Sequence, residues 1–187
     1  DIVKDLKTFK VNCLPAHSAH TVYRNVEEME EGKLSYRRSL NGLWKFSYAK
    51  NYESAVKGFE AENFDVSGWD EIHVPSNIQM EGYDAPAYVN TQYPWDGREQ
   101  ILPGEVPTVF NPTGSYVTFF TVPEEWHGMP IGVSFQGVDS GFALWVNGKY
   151  VGYSEDSFTP SEFDLTKFVK RGVNRIAVQV FKWTASS

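Results

Sequence analysis

A two-residue Asn147-Gly148 turn separates two runs of apolar and aromatic residues, at positions 142–146 and 149–153. Asn and Gly both accept the positive φ angles of a type I′ turn, which joins neighbouring antiparallel strands. The pattern therefore predicts a β-hairpin with a positive φ at Gly148. Across the turn, we expect Trp145 and Val146 to pair with Lys149 and Tyr150.

Four further segments alternate large apolar or aromatic residues with smaller or polar ones, which is typical of strands that bury one face. They cover residues 43–48, 115–122, 131–136 and 176–181. No stretch sustains the 3.6-residue apolar period of a helix, so a parallel α/β fold is disfavoured. The aromatic content of 16% also suits a β-rich core. We predict an all-β chain folded as an antiparallel sandwich.

Residues 1–38 lack this alternation and carry an acidic run at 27–31, which Gly32 ends. We predict an extended arm that lies over a neighbouring surface, with one helical turn before Gly32. The acidic run itself is interpreted as a solvated face. A second single helical turn is expected after Asp164, which can cap its start, with Gly172 at its end.

Composition excludes several classes of protein. The chain has 17 Lys and Arg against 24 Asp and Glu, a net charge of −7, so we expect no binding to nucleic acid. No apolar run approaches the ~18 residues that a membrane helix needs. Cys13 is the sole cysteine, which rules out an intrachain disulfide. His17 and His20 lie near it, but no fourth ligand has suitable spacing, so we predict no metal site.

The connection between residues 74 and 111 is rich in Pro, Gly, Asn and Tyr and is predicted to form a long loop. Such a loop is uncommon unless it carries function or docks on another domain, so we expect the functional site here. The chain has no Gly-x-Ser-x-Gly nucleophile motif and no Gly-rich phosphate loop. Its acids include Asp84, Glu99 and Glu155, but no spacing selects a catalytic pair.

Three stretches of this loop, residues 74–80, 82–86 and 88–94, resemble the N-terminal domain of bacterial β-galactosidases of glycoside hydrolase family 2. The similarity extends from about Val11 to Trp183. Its other motifs are residues 14–17, 24–25, 38–42, 44–46, 111–116, 142–153, 160–165, 174–178 and 182–183. The Tyr-Asp-Ala-Pro and Tyr-x-Asn motifs favour the β-galactosidase branch over the β-glucuronidase and β-mannosidase branches.

The resemblance implies a jelly-roll β-sandwich, similar to galactose-binding domains, over residues 39–187 after the arm of residues 1–38. It also implies that immunoglobulin-like domains and a TIM barrel follow, and that the barrel carries both catalytic glutamates of a retaining enzyme. Alone, this chain is then expected not to hydrolyse galactosides such as lactose. The family continues with a further strand, so we expect a final piece of the sandwich beyond Ser187. The parent enzyme is expected to be a homo-oligomer.

In the family, the Tyr-x-Asn segment reaches the mouth of the barrel and contacts the galactosyl unit. By this resemblance the substrate-binding residues are Asn90, Thr91 and Tyr88, with Asn90 central. The Asn90 amide has two donors and an acceptor, which suit sugar hydroxyls. The competing interpretation of Asn90 is an Asx-turn that stabilises its own loop.

The resemblance also implies Mg and Na ions in the parent enzyme. Many family members carry, after their last Trp, an aspartate that contacts the substrate and sodium. Here Ala185 occupies that position and cannot ligate a cation, which puts a sodium contribution from this domain in doubt. The first seven residues show no apolar h-region of a signal peptide, and we expect a bacterial, cytoplasmic location.

Two other functions stay open from the sequence. Jelly rolls also occur as free-standing lectin-like modules that bind galactosides, and fold alone does not decide between these roles. The arm and the sheet edges could instead serve oligomerisation, with the sugar contact of the loop incidental.

Overall fold

The computed structural model describes residues 2–85, 93, 95–102 and 104–185. In this part of the chain β-strands predominate, and no helix is long and apolar enough to cross a membrane. The single α-helix among these residues, α1 (Val26–Glu31), has six residues. The strands are β1 (Lys10–Val11), β2 (Gly42–Ala49), β3 (Asp70–Val74), β4 (Thr113–Thr121), β5 (Gly132–Phe135), β6 (Gly141–Val146), β7 (Lys149–Ser154), β8 (Ser161–Asp164) and β9 (Val173–Phe181).

Seven of these strands form one antiparallel sheet in the order β1-β7-β6-β9-β4-β2-β3, and β5 and β8 form a second, two-stranded sheet. β9 lies at the centre of the large sheet and pairs along its whole length with β4. Its residues are buried on both faces of the strand from Asn174 to Gln179. The all-β antiparallel sandwich predicted from the sequence is confirmed.

The main core lies between the two sheets. Phe163 of β8 meets Phe142 of β6 edge-on, with 5.9 Å between their ring centroids. On the opposite face of the large sheet, Phe59 from the segment after β2 packs with Val117 and Ala177. Because both faces of the sheet centre are covered, the loops at its two ends are the regions left open to carry a site.

The predicted hairpin is formed by β6 and β7. Across its turn Val146 pairs with Lys149, and Trp145 pairs with Tyr150. The φ angles of Asn147 and Gly148 are 49° and 76°, as a type I′ turn requires.

The arm contains the predicted helical turn and also joins the large sheet. The side chain of Asn25 caps α1 by accepting a hydrogen bond from the Glu28 backbone N–H, and Gly32 ends the helix with a φ of 66°. Beyond the expected contact with a neighbouring surface, the arm supplies β1, which pairs with β7 at the sheet edge. Two residues cannot display an alternating pattern, so the sequence does not predict this strand.

The turn predicted after Asp164 is present and shorter than expected. Asp164 Oδ1 accepts a hydrogen bond from the Thr166 backbone N–H at 2.8 Å. The backbone N–H groups of residues 168 and 169 then donate to the Leu165 carbonyl at 2.8 and 3.1 Å. The turn therefore closes before Gly172, which has a φ of 78° ahead of β9.

Candidate functional site

The three residues predicted to bind substrate, Tyr88, Asn90 and Thr91, lie outside the described residues. The loop that carries them is located by its two flanks, residues 74–85 and 93–111. Both flanks are held at the end of the large sheet where β9 finishes. We call this region, which comprises residues 182–185 and the loops that contact them, the Trp183 end.

The first flank is tied to the Trp183 end by a buried ion pair. The side chain of Asp84 is 6% exposed and forms an ion pair with Lys182. Gln79 Nε2 donates to the same carboxylate oxygen at 3.3 Å. The neighbouring Tyr83 ring meets Phe46 of β2 edge-on at 4.7 Å between centroids. Because a buried charge is costly unless it is paired, this contact fixes the flank against the residue that follows β9.

The second flank is tied to the same segment by a buried amide. Asn111 Nδ2 donates to the Trp183 carbonyl at 2.9 Å, and the Trp183 backbone N–H donates to Asn111 Oδ1 at 3.0 Å. The Lys182 backbone N–H also donates to the Pro112 carbonyl at 3.0 Å. Asn111 is buried, so loss of its side chain would leave two backbone groups of Trp183 unpaired away from water.

Four aromatic side chains gather between these two anchors. The rings of Tyr93 and Trp95 are stacked, with 5.1 Å between centroids and 7° between planes. Trp95 meets Trp183 edge-on, with 6.3 Å between ring centroids, and the Phe110 ring lies 6.1 Å from Trp183. Tyr93 is 66% exposed. Such an aromatic surface can contact the apolar face of a sugar ring.

Glu99 fixes the return of the loop towards β4. Its carboxylate accepts hydrogen bonds from the Thr108 hydroxyl at 2.8 Å, the Thr108 backbone N–H at 2.9 Å and the Val109 backbone N–H at 3.0 Å. Burial raises the pKa of Glu99, but the hydrogen bonds together outweigh that effect and lower the pKa below its ordinary value. The group is therefore ionised at neutral pH and serves as a structural acceptor.

Residues 182–185 bring the arm and three loops together. The Thr184 hydroxyl donates to Glu155 Oε2 at 2.9 Å, in the loop after β7. The Ser140 hydroxyl, in the loop after β5, donates to the Lys182 carbonyl at 2.7 Å. The Ala185 backbone N–H donates to the Val3 carbonyl of the arm at 3.1 Å. The loops after β3, β5 and β7 and the start of the chain thus meet around one short segment.

In the part of the chain that the structure describes, no group of three His, Cys, Asp or Glu side chains is placed to hold a metal ion. The Cys13 thiol donates to the Tyr153 carbonyl at 3.3 Å, and burial raises its pKa. His17 Nε2 lies 2.7 Å from a carboxylate oxygen of Glu162. Ala185 presents a methyl group where the resemblance implies a sodium ligand, so the residue at this position does not fit that ion.

The sequence did not reveal the contacts that hold the loop. Asp84 and Lys182 are 98 positions apart, and Asn111 and Trp183 are 72 positions apart. In the sequence, Asp84 is one of many acids without a distinguishing pattern. All four residues do fall within the motifs of the resemblance, which was the available signal that these segments act together.

The comparisons with known proteins agree with this geometry. The family model for glycosyl hydrolases family 2, sugar binding domain, matches residues 37–187. A β-galactosidase of Halalkalibacterium halodurans is 49% identical over 186 residues, which are 99% of this chain and 18% of that protein. A β-galactosidase of Clostridium acetobutylicum is 44% identical over 188 residues, which are 100% of this chain and 21% of that protein. The chain thus spans about a fifth of the length of these relatives.

A solved structure supports the fold. The β-glucuronidase of an uncultured Clostridium species has 23% sequence identity and a TM-score of 0.54, over 76% of this chain and 21% of that protein. The antiparallel sheets agree with the expected jelly-roll sandwich. On the match of the family model to most of its length, the chain belongs to the sugar binding domain family of the glycosyl hydrolases family 2.

Proposed function

We propose that this domain forms one wall of the galactoside pocket of a larger retaining β-galactosidase whose catalytic glutamates lie elsewhere in the polypeptide. The observation that carries the proposal is the anchoring of both loop flanks on one segment, by Asp84 to Lys182 and by Asn111 to Trp183. A loop held at two points can present residues 86–92 to a neighbouring domain without folding as a separate unit.

The relatives favour a galactoside as the substrate. Proteins named β-galactosidase reach 49% identity over almost all of this chain, whereas the β-glucuronidase above is 23% identical. Since those relatives are about five times as long as this chain, a pocket shared between domains is consistent with their size.

Asn90 has the central role in this proposal, with Thr91 and Tyr88 beside it. In the sequence, Asn90 is three positions before Tyr93, whose side chain is exposed. We propose that one sugar uses both side chains. Any Na or Mg ion of the full-length enzyme would be held by side chains other than Ala185.

The test is Asn90→Ala in the full-length enzyme. Loss of one or two hydrogen bonds in a closed pocket should cost about 1–3 kcal/mol, or roughly ten- to a hundredfold in kcat/KM for a galactoside. The matched control is Asn111→Ala, which removes an amide of the same loop that contacts only protein. It should lower the melting temperature more than it lowers kcat/KM. A folded Asn90→Ala enzyme with kcat/KM within about twofold of the original would make Asn90 a turn-former, as its Asx-turn interpretation states.

The isolated chain gives a second test. One wall of a pocket offers few hydrogen bonds against the entropy of holding a small sugar, so we expect galactose affinity no tighter than ~1 mM, about −4 kcal/mol. No galactoside turnover above buffer is expected, because the catalytic glutamates of the proposal lie elsewhere. Titration calorimetry that finds micromolar galactose binding would favour the free-standing lectin-like module instead.

A further inference from the structure

The turn after β7 carries a phenylalanine, Phe158, that is almost fully exposed to solvent. Phe158 is 97% exposed. The turn beneath it is built on the Asp156 carboxylate, which accepts hydrogen bonds from the backbone N–H groups of Phe158 at 3.1 Å and Thr159 at 2.9 Å. The same carboxylate also accepts from the Thr159 hydroxyl and, at 3.1 Å, from Lys10 Nζ. The phenyl ring is thus presented on a backbone that is already ordered.

This turn is joined to neighbouring loops at the Trp183 end. The Ser157 hydroxyl donates to Asp139 Oδ1 at 3.2 Å, and the Glu155 backbone N–H donates to the Phe9 carbonyl at 3.0 Å. Phe9 is itself exposed, as are Leu6 in the arm and Leu102 in the long loop. A single exposed apolar residue is ordinary, but several on segments that meet at one end of a sheet are typical of a contact surface.

The direction of the strands places this surface where the chain leaves the sheet. β7 and β9 both pair antiparallel with β6, so the last residues of both strands lie at the same end of the sheet. The Thr184 hydroxyl, three residues after the end of β9, donates to Glu155 Oε2 at 2.9 Å. Glu155 is three positions before Phe158. The relatives of this chain are about five times as long, and Thr184, next to the last described residue, contacts the loop that carries Phe158.

We propose that Phe158 is the anchor by which this domain docks on the polypeptide that follows it, its ring filling an apolar pocket of that following part. Aromatic side chains at the centre of a contact supply much of its binding energy. The Asp156 turn lowers the entropy lost on docking because its backbone is ordered beforehand. The inference rests on the part of the proposed function that makes this chain one domain of a longer enzyme, and it does not depend on Asn90.

The first test is photo-cross-linking of the full-length protein with p-benzoylphenylalanine in place of Phe158. Mass spectrometry should map the cross-links to peptides beyond residue 187 of the same chain. The matched control replaces Phe119, which is 53% exposed and pairs with Arg175 at the opposite end of the sheet. Cross-links to a second copy of the chain, cross-links confined to residues 1–187, or a yield no higher than at Phe119 would each overturn the proposal.

The second test compares Phe158→Ala with Phe119→Ala in the full-length protein. Limited proteolysis between this domain and the following part reports the population in which the two have separated, provided that reclosing outpaces cleavage. Removal of a central aromatic anchor should raise the cleavage rate about tenfold, whereas Phe119→Ala should stay within about twofold. Equal rates in the two variants would contradict the proposal. Neither test needs a bound galactoside, so failure of the Asn90 experiment and failure of this inference are distinguishable.

Discussion

At the hairpin end of the large sheet, which comprises the Asn147-Gly148 turn and residues 170–175, the positive φ angles of Asn147 and Gly148 shape the turn itself. Long-range contacts join this end to the rest of the fold, such as the hydrogen bond from the Arg175 guanidinium to the Phe59 carbonyl at 2.7 Å. The loop that precedes β9, however, is closed by residues four positions apart. Asn174 Oδ1 accepts from the Lys170 backbone N–H at 2.8 Å, and Asn174 Nδ2 donates to the Lys170 carbonyl at 2.9 Å. The Trp183 end is different. Its main contacts, Asp84 with Lys182 and Asn111 with Trp183, join segments 98 and 72 positions apart.

The two ends therefore depend on the rest of the fold to different degrees. A turn such as Asn147-Gly148 adopts its shape by the conformational preferences of its own residues. The long loop has no such local rule, so its position depends on partners that only the assembled sheet brings close. A region held in this way can be shaped for a ligand or another domain, because its conformation is set by a few long-range contacts.

The largest effect is expected when the remote ion pair of the Trp183 end is broken. Lys182→Met leaves the Asp84 carboxylate, at 6% exposure, with the Gln79 amide as its other described partner. An uncompensated buried charge of this kind should lower the free energy of unfolding by about 3 kcal/mol in urea titrations of the chain.

A double-mutant cycle identifies the cause. Asp84→Asn combined with Lys182→Met removes both charges, and the pair should show a coupling energy of about 1–3 kcal/mol. A loss below about 0.5 kcal/mol for Lys182→Met alone would place the pair with ordinary surface salt bridges. The long loop would then be held by Asn111 without help from Asp84.

An intermediate effect is expected at the hairpin end. Gly148→Val puts a β-branched residue at a φ of 76°, where its Cβ would also lie 3.2 Å from the Glu62 backbone nitrogen. The strain and the close contact should destabilise the chain by about 1–3 kcal/mol, seen as a lower melting temperature. An unchanged melting temperature would show that the stability of the turn does not depend on glycine at this positive φ.

The same contrast explains which parts of the structure the sequence predicts. The segments that became β2, β4, β5, β6, β7 and β9 are long enough to show alternation, and α1 has a capping Asn25 and a terminal Gly32. β1 has two residues, too few to show alternation, and the sequence did not predict β8, whose four residues pair with β5. The loop was predicted as the site, but the residues that position it are remote in sequence. The roles of Tyr88, Asn90 and Thr91 stay predictions, since these residues lie outside the described part of the chain.

The smallest effect concerns the Asp156 turn, a locally built turn placed at the Trp183 end. Hydrogen bonds from the Thr159 hydroxyl and backbone N–H, together with Lys10 and the Phe158 N–H, hold the pKa of Asp156 well below its ordinary value of 3.8. A carboxylate whose pKa is lower in the folded chain stabilises the folded state fully above its unfolded pKa. This contribution is lost as pH falls through the folded pKa.

Asp156→Asn should therefore lower the free energy of unfolding by about 1 kcal/mol at pH 7, a modest amount because the side chain is partly exposed. The difference between the two proteins should be constant from about pH 7 to 5 and should shrink below about pH 4. Urea titrations at a series of pH values measure it. A difference that persists unchanged at the lowest pH would mean that the turn depends on the shape of the side chain at this position and not on its charge.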